Sequence, residues 1–99
     1  MRPILEDAAQ RAIRYLETIN DRPVASDAAS IARAESFDAD LPDGPTDGRA
    51  ALAMLDDIGS PGSMAMGARR FFGFVIGGAL PEAIASSWLT TAWDQNAAL

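Results

Sequence analysis

Apolar side chains recur at three- and four-residue steps near the start of the chain, with charged and amide side chains in most of the positions between them. The apolar positions are Leu5, Ala9, Ala12, Ile13, Leu16 and Ile19. This spacing predicts an amphipathic helix over residues 4–19. The Asn-Asp-Arg-Pro sequence that follows at residues 20–23 is expected to end the helix, because proline has no N–H to continue the backbone ladder.

A second, shorter helix is predicted after this break. Either Ser26 or Asp27 can cap it, since both side chains accept a hydrogen bond from a backbone N–H of the first turn, and it is expected to end at about Ser36. Residues 38–48 then concentrate acids, prolines and glycines, which is typical of a loop.

A third helix is predicted from a cap at Thr46 or Asp47 to about Ile58. Gly59 is expected to end it, because glycine readily takes the left-handed conformation that closes many helices. The Ser-Pro-Gly-Ser sequence at residues 60–63 is interpreted as a second break.

The last third of the chain is the most apolar. Residues 71–76 are uncharged, aromatic and β-branched, which predicts a short buried strand or extended segment closed by Gly77 and Gly78. Pro81 is expected to begin a final helix, with Glu82 near its positive end. The broad apolar face of that helix comprises Ile84, Ala85, Trp88, Leu89, Ala92 and Trp93. The fold class predicted from the pattern is mainly α with one short strand.

This aromatic region is large for so short a chain. Two Trp and three Phe fall within residues 71–93, and helices of the predicted lengths could cover only part of that surface. We therefore expect a partner surface. The chain reaches Asn96-Ala97-Ala98-Leu99 without a cap or polar tail, which suggests a piece of a longer protein.

Composition limits the chemistry of this single small domain of 99 residues. Eight arginines against fourteen acids give a net charge of −6, which opposes binding to nucleic acid or anionic membranes. The chain has no Cys, His or Lys, so thiolate, Cys/His zinc, catalytic-triad and lysine chemistries are excluded. No signal peptide or membrane span is recognisable, and a cytoplasmic location is expected.

Two motifs suggest a ligand site but fail on spacing. The acidic loop at residues 38–44 lacks the calcium-binding pattern, because Pro42 stands at the fifth ligand position and Arg49 replaces the final Glu. The glycines of residues 73–78 do not have the spacing of a dinucleotide-binding loop. No metal site is predicted.

Two stretches near the end of the chain carry a resemblance to a known family. RFFGFVIGGALP at residues 70–81 and SWLTTAWDQN at residues 87–96 resemble the N-terminal block of the pyridoxal-phosphate-dependent group II amino-acid decarboxylases, which include the aromatic-amino-acid and glutamate decarboxylases. The order of elements upstream is also similar, so the resemblance covers the whole chain and is strongest from Arg70 onward. One departure is Gly67-Ala68-Arg69, where family members often have His-Pro or Gly-Pro.

The resemblance implies that residues 1–99 are the N-terminal helical and dimerisation segment of a carboxy-lyase that acts in carboxylic acid metabolism. The parent enzyme would have fold type I, the aminotransferase-like α/β fold. The large domain that binds pyridoxal phosphate would be absent, and with it the cofactor lysine and every catalytic residue. A partner subunit of a homodimer and that missing domain are the implied partners, with an amino acid as the substrate.

For this chain, the resemblance places substrate-lining residues at Phe74, Val75, Ile76 and Gly77. These four are equally well interpreted as core residues of a buried strand. No catalytic, cofactor-binding or metal-binding residue is expected, and the chain alone should be inactive. The alternative function is a stand-alone small acidic helical module that binds a partner or itself through residues 71–93.

Overall fold

A computed structural model describes residues 1–96, and those residues are mainly helical. Residues 97–99, on which the expectation of a longer parent chain partly rests, lie outside the described residues. The helices are α1 (Arg2–Thr18), α2 (Ala28–Arg33), α3 (Gly48–Gly62) and α4 (Pro81–Trp93), with 3-10 turns at Ile19–Asp21 and Ala34–Phe37.

The predicted first helix is confirmed as α1, which begins two residues earlier than the pattern indicated. Pro3 lies in its first turn, where a missing N–H costs no hydrogen bond. The helix tightens into the 3-10 turn Ile19–Asp21 and then becomes extended at Arg22. This extension is the conformation that a following proline favours, so Pro23 ends the helix as predicted.

The predicted second helix is also confirmed, with Asp27 as its cap, but α2 ends at Arg33, and the predicted end at about Ser36 falls in the 3-10 turn Ala34–Phe37. The Asp27 carboxylate accepts a hydrogen bond from the Ser30 backbone N–H at 2.7 Å. The Ser26 hydroxyl instead donates to the Ser63 carbonyl at 3.0 Å, which ties the start of α2 to the end of α3.

The third helix has the predicted cap, since the Asp47 carboxylate accepts a hydrogen bond from the Ala50 N–H at 3.0 Å. The predicted stop at Gly59 is wrong, and so is the break at residues 60–63. The helix α3 continues to Gly62 with Pro61 inside its last turn.

Side chains near the end of α3 explain this continuation. Arg22 donates to the Ser60 carbonyl at 2.7 Å and to the Ser60 hydroxyl at 3.0 Å. The Ser63 hydroxyl donates to the Gly59 carbonyl at 2.7 Å. Because these donors satisfy carbonyls that a helix end leaves unpaired, the helix needs no left-handed glycine at this point.

The predicted strand over residues 71–76 is wrong, because residues 1–96 contain no β-strand. The segment forms a turn in which the Ile76 N–H donates to the Gly73 carbonyl at 3.3 Å. Phe74 and Val75, at the centre of the turn, have φ of 57° and 58°. The strand propensity of these residues is not enough to form a strand, because a strand needs a neighbouring strand to pair its backbone groups. Residues 1–96 contain no such neighbour.

The buried core is small. Ile19, Ala65 and Ala68 are buried, and Tyr15 packs against them. The loop between α3 and α4 reaches this core because the Ala65 N–H donates to the Val24 carbonyl at 2.8 Å. No large side chain among the described residues is fully buried.

The packing of the helices is open. The helix α3 packs against both α1 and α2, whereas α4 packs closely against none of the other described helices. The accessible surface is 8094 Å², compared with about 5,400 Å² for a compact protein of this mass. The radius of gyration is 15.7 Å, compared with about 13 Å for a compact domain of this length.

Candidate functional site

The four predicted substrate-lining residues lie together at the tip of one turn. Phe74 and Val75 occupy its two central positions, Ile76 closes it, and Gly77 follows in open space. The Phe74 side chain is 78% exposed, and that of Val75 is fully exposed. The interpretation of these residues as core is therefore wrong for the described chain.

The backbone of this turn is unfavourable for its residues. Positive φ brings the Cβ of an ordinary residue too close to its own backbone, and β-branched valine tolerates it least. The ring of Phe74 stacks on that of Phe71 with centroids 6.2 Å apart. This stacking and the single hydrogen bond from Ile76 to Gly73 are the contacts that hold the turn.

The three best-formed pockets among residues 1–96 are not lined by residues 74–77. A cavity of about 500 Å³ lies instead between α1 and α3, with Ile84 and Trp88 of α4 in its lining. Its apolar lining includes Ala12, Leu16, Leu52, Leu55, Ile84 and Trp88. The structure thus assembles an apolar cavity that the sequence did not predict, and it leaves the predicted site residues on an exposed tip.

Polar groups at one edge of the cavity join α1 to α3. Arg11 donates to Asp56 at 2.9 Å, to Asp7 at 3.2 Å and to Asp57 at 3.5 Å. Arg14 reaches Asp56 at 3.4 Å. The hydrogen bonds from Arg11 to Asp56 and then to Asp7 raise the pKa of the guanidinium, which therefore stays charged.

Sequence reasoning missed this cluster. The spacing of Asp7 and Arg11, four residues apart on one helix face, is a signal for their pair. The contact to Asp56 joins residues 45 positions apart and has no local signal. Arg22 lies nearby with its guanidinium 5.1 Å from the centre of the Tyr15 ring, a cation–π contact.

The helix α4 presents an uncharged and mostly exposed surface. Trp88 is 45% exposed and Trp93 is 60% exposed, and Glu82 is the charged residue of the helix. Four hydroxyls of α4 bond back to carbonyls of the preceding turn at 2.9–3.0 Å; they belong to Ser86, Ser87, Thr90 and Thr91. Because these hydroxyls already have hydrogen-bond partners within α4, packing another surface against them would cost little desolvation free energy.

The residues of this chain do not form a site for pyridoxal phosphate. The cofactor is held covalently by a lysine amine, and the sequence has neither lysine nor histidine. The described residues also contain no group of three or more acids arranged to hold a metal ion. No helix within residues 1–96 reaches the length and apolarity needed to cross a lipid bilayer.

In comparisons with protein-family models, with curated proteins and with solved structures, nothing matches the chain.

Proposed function

We propose that the chain is the N-terminal segment of a pyridoxal-phosphate-dependent group II amino-acid decarboxylase, a cytoplasmic homodimer of fold type I. One observation carries this proposal. The region that resembles the family, residues 70–96, is mostly exposed and includes the exposed aromatic side chains Phe72, Phe74 and Trp93. A segment that packs on a larger domain and on a partner subunit needs such a surface.

In this proposal, residues 74–77 line the substrate pocket of the parent enzyme. Phe74, Val75 and Ile76 offer apolar surface that binds part of the substrate and excludes water from the reacting bond. The cofactor, held elsewhere in the parent, supplies the electron sink for the carbanion left when CO2 departs. The segment contributes binding and enclosure, so it has no carboxy-lyase activity alone.

The second part of the proposal concerns α4 as an interface helix. Its paired hydroxyls and uncharged sides suit contact with the cofactor domain or the second subunit of the dimer. The alternative, a stand-alone small acidic helical module that binds a partner or itself through residues 71–93, would also leave Trp88 and Trp93 exposed, so the resemblance is what favours the decarboxylase segment.

Reconstitution tests this function. A parent decarboxylase lacking its first 99 residues would be mixed with this chain, and decarboxylase activity with pyridoxal phosphate would be measured. We expect activity from the mixture and none from either part. Trp93→Glu in the chain should abolish the gain, whereas the matched change Leu41→Glu in the exposed loop should not.

A second measurement concerns the cofactor alone. After incubation of the chain with pyridoxal phosphate and borohydride, peptide mapping should show no modified side chain, because only the α-amine of Met1 is available to react. A stoichiometric adduct within the chain would contradict the proposal that another part of the parent enzyme binds the cofactor.

The coding DNA after the codon for Leu99 is expected to encode a cofactor-binding lysine, and its absence would contradict the assignment to this family.

A further inference from the structure

Residues 71–76, with the sequence Phe-Phe-Gly-Phe-Val-Ile, form an uncharged segment without proline. Apart from the glycine, every side chain in it is aromatic or β-branched, and these are the types that prefer strands. Arg70 comes directly before the segment, and the next charged residue along the chain is Glu82. Short segments with high strand preference and no charge are those that stack into cross-β assemblies, so residues 71–76 have the composition of a cross-β spine.

The folded chain leaves this segment accessible to other molecules. Phe72 is 91% exposed, and the Val75 side chain is fully exposed. The backbone N–H groups of residues 72–75 have no hydrogen-bond partner within residues 1–96. Exposed, unpaired backbone groups in a segment that prefers strands are a template for pairing with another chain.

Few contacts keep the segment in its turn. Phe74 and Val75 have φ of 57° and 58°, a conformation that is disfavoured for both residue types. The turn is held by the stacking of Phe71 on Phe74 and by the hydrogen bond from the Ile76 N–H to the Gly73 carbonyl, which at 3.3 Å is long. Opening the turn to an extended strand loses these two contacts and relieves both unfavourable φ angles.

We propose that residues 71–76 open and stack on the same segment of further copies of this chain, forming a cross-β assembly. The backbone groups of residues 72–75 then pair with the copies above and below, which completes the ladder that the single chain cannot form. Each added copy presents a new unpaired edge, so the assembly grows as a filament and does not close as a dimer.

The occupant of the edge is a second copy because the segment is complementary to itself. Stacked copies place aromatic and β-branched side chains against one another, and no charge lies within residues 71–76 to oppose their contact. This inference concerns the chain by itself and does not depend on the proposed decarboxylase function, in which the rest of the parent enzyme would cover the segment.

Fibre formation by the purified full chain is the direct test. Thioflavin T fluorescence followed over time should show a lag and then a rise. X-ray diffraction from the product should show the two cross-β spacings, about 4.7 Å between strands and about 10 Å between sheets. A chain that stays in solution, or an aggregate without both spacings, would overturn the proposal.

Substitutions at Val75 locate the spine. The Val75 side chain is fully exposed, so replacing it removes no packing from the folded chain. Val75→Lys puts a charge into every layer of the stack and should lengthen the lag at least about tenfold. Leu41→Lys makes the same change of charge at a side chain that is 92% exposed in the loop, and its lag should be unchanged. Val75→Ile keeps the β-branch and should still form fibres. Equal lags for the two lysine variants would contradict a spine at residues 71–76.

A further variant separates this segment from the exposed side chains of α4. Leu89→Gln combined with Trp93→Gln removes apolar surface from α4 and leaves residues 71–76 unchanged, so fibres with both cross-β spacings should still form. Circular dichroism before incubation confirms that each variant keeps its helices. Loss of the fibres in this double variant would assign the association to α4 and overturn the proposal.

Discussion

Phe74 is the residue at which the proposed substrate pocket is most directly tested. In the proposed parent enzyme, Phe74→Ala should raise the activation free energy that corresponds to kcat/KM by about 1–3 kcal/mol for a bulky substrate, because an aromatic ring buries roughly 150–250 Å² against its neighbour. A small substrate should lose much less. Cofactor affinity should hardly change, since the chain holds no cofactor-binding lysine.

Steady-state kinetics with a bulky and a small amino acid, together with cofactor titration, checks this prediction. Phe72→Ala is the control, because Phe72 is also exposed but lies outside the substrate-lining stretch. Equal losses for both substrates, accompanied by loss of cofactor, would assign Phe74 to packing and remove it from the site.

Gly59 offers a second test at the scale of one residue. It lies within α3, and a Cβ added to it would meet the Leu55 Cδ1 at 3.8 Å and the Phe37 Cζ at 3.9 Å, which is ordinary contact. Gly59→Ala should therefore raise the free energy of unfolding by about 0.5–1 kcal/mol through reduced backbone entropy. Ala51→Gly on the same helix should lower it by a similar amount. Chemical denaturation measures both, and a destabilised Gly59→Ala variant would contradict the contact distances.

At the scale of the helix, α2 depends on its cap. The hydrogen bond from the Ser30 backbone N–H lowers the pKa of Asp27. A lowered pKa in the folded state contributes stability that is fully present above the ordinary aspartate pKa of about 3.9 and is lost as pH falls through the folded value. Asp27→Asn keeps a cap without this titration. It should therefore flatten the acid limb of a plot of melting temperature against pH, and an unchanged slope would contradict the role of the carboxylate.

The contact between α1 and α3 depends on Arg11. Arg11→Met removes a donor shared by Asp7 and Asp56, both half-buried, and leaves two carboxylates close together. We expect a lower melting temperature. Arg2→Met is the matched control, because the exposed pair of Arg2 with Glu6 should contribute almost nothing. Thermal denaturation of the two variants gives the comparison, and equal effects would mean that Arg11 is no more important than a surface charge.

Local sequence patterns were sufficient to predict most helices. They were insufficient where contacts with residues distant in the sequence determine the local structure. Periodicity located α1, and the caps at Asp27 and Asp47 followed from residue type. The end of α3 was missed because Arg22, 38 positions away, pairs the Ser60 carbonyl. The strand was missed because its formation depends on a pairing partner, which no property of the segment itself reveals.

The candidate site also combines features that the sequence could predict with features that depend on distant contacts. The resemblance to the decarboxylases grouped residues 74–77 as substrate-lining, and in the structure they lie at one turn, but their exposure depends on what else packs nearby. The cavity between α1, α3 and α4 could not be predicted, because it depends on how three helices separated by loops approach one another. The Arg11 to Asp56 contact has the same origin.

At the scale of the whole molecule, the surface exceeds that of a compact protein of this mass by about half. A stable interface needs only about 800 Å² from each partner, so the surplus exceeds what one such contact would cover. Part of this surplus is on α4, where Leu89 and Trp93 lie outside the cavity and remain exposed. The isolated chain should therefore show the properties of an incompletely packed molecule even when two copies associate.

We expect three observations on the purified chain. A dye that binds exposed apolar surface should bind it, the thermal melt should be broad, and small-angle scattering should give a radius of gyration well above the compact value of about 13 Å. Replacing Leu89 and Trp93 together by Gln should reduce dye binding without loss of helix, because both side chains are exposed and contribute little to the core. Leu41→Gln, a change at a side chain that is 92% exposed in the loop, should leave dye binding nearly unchanged. A compact monomer that melts sharply and binds no dye would contradict both the open packing and the proposal that the chain is a segment of a larger enzyme.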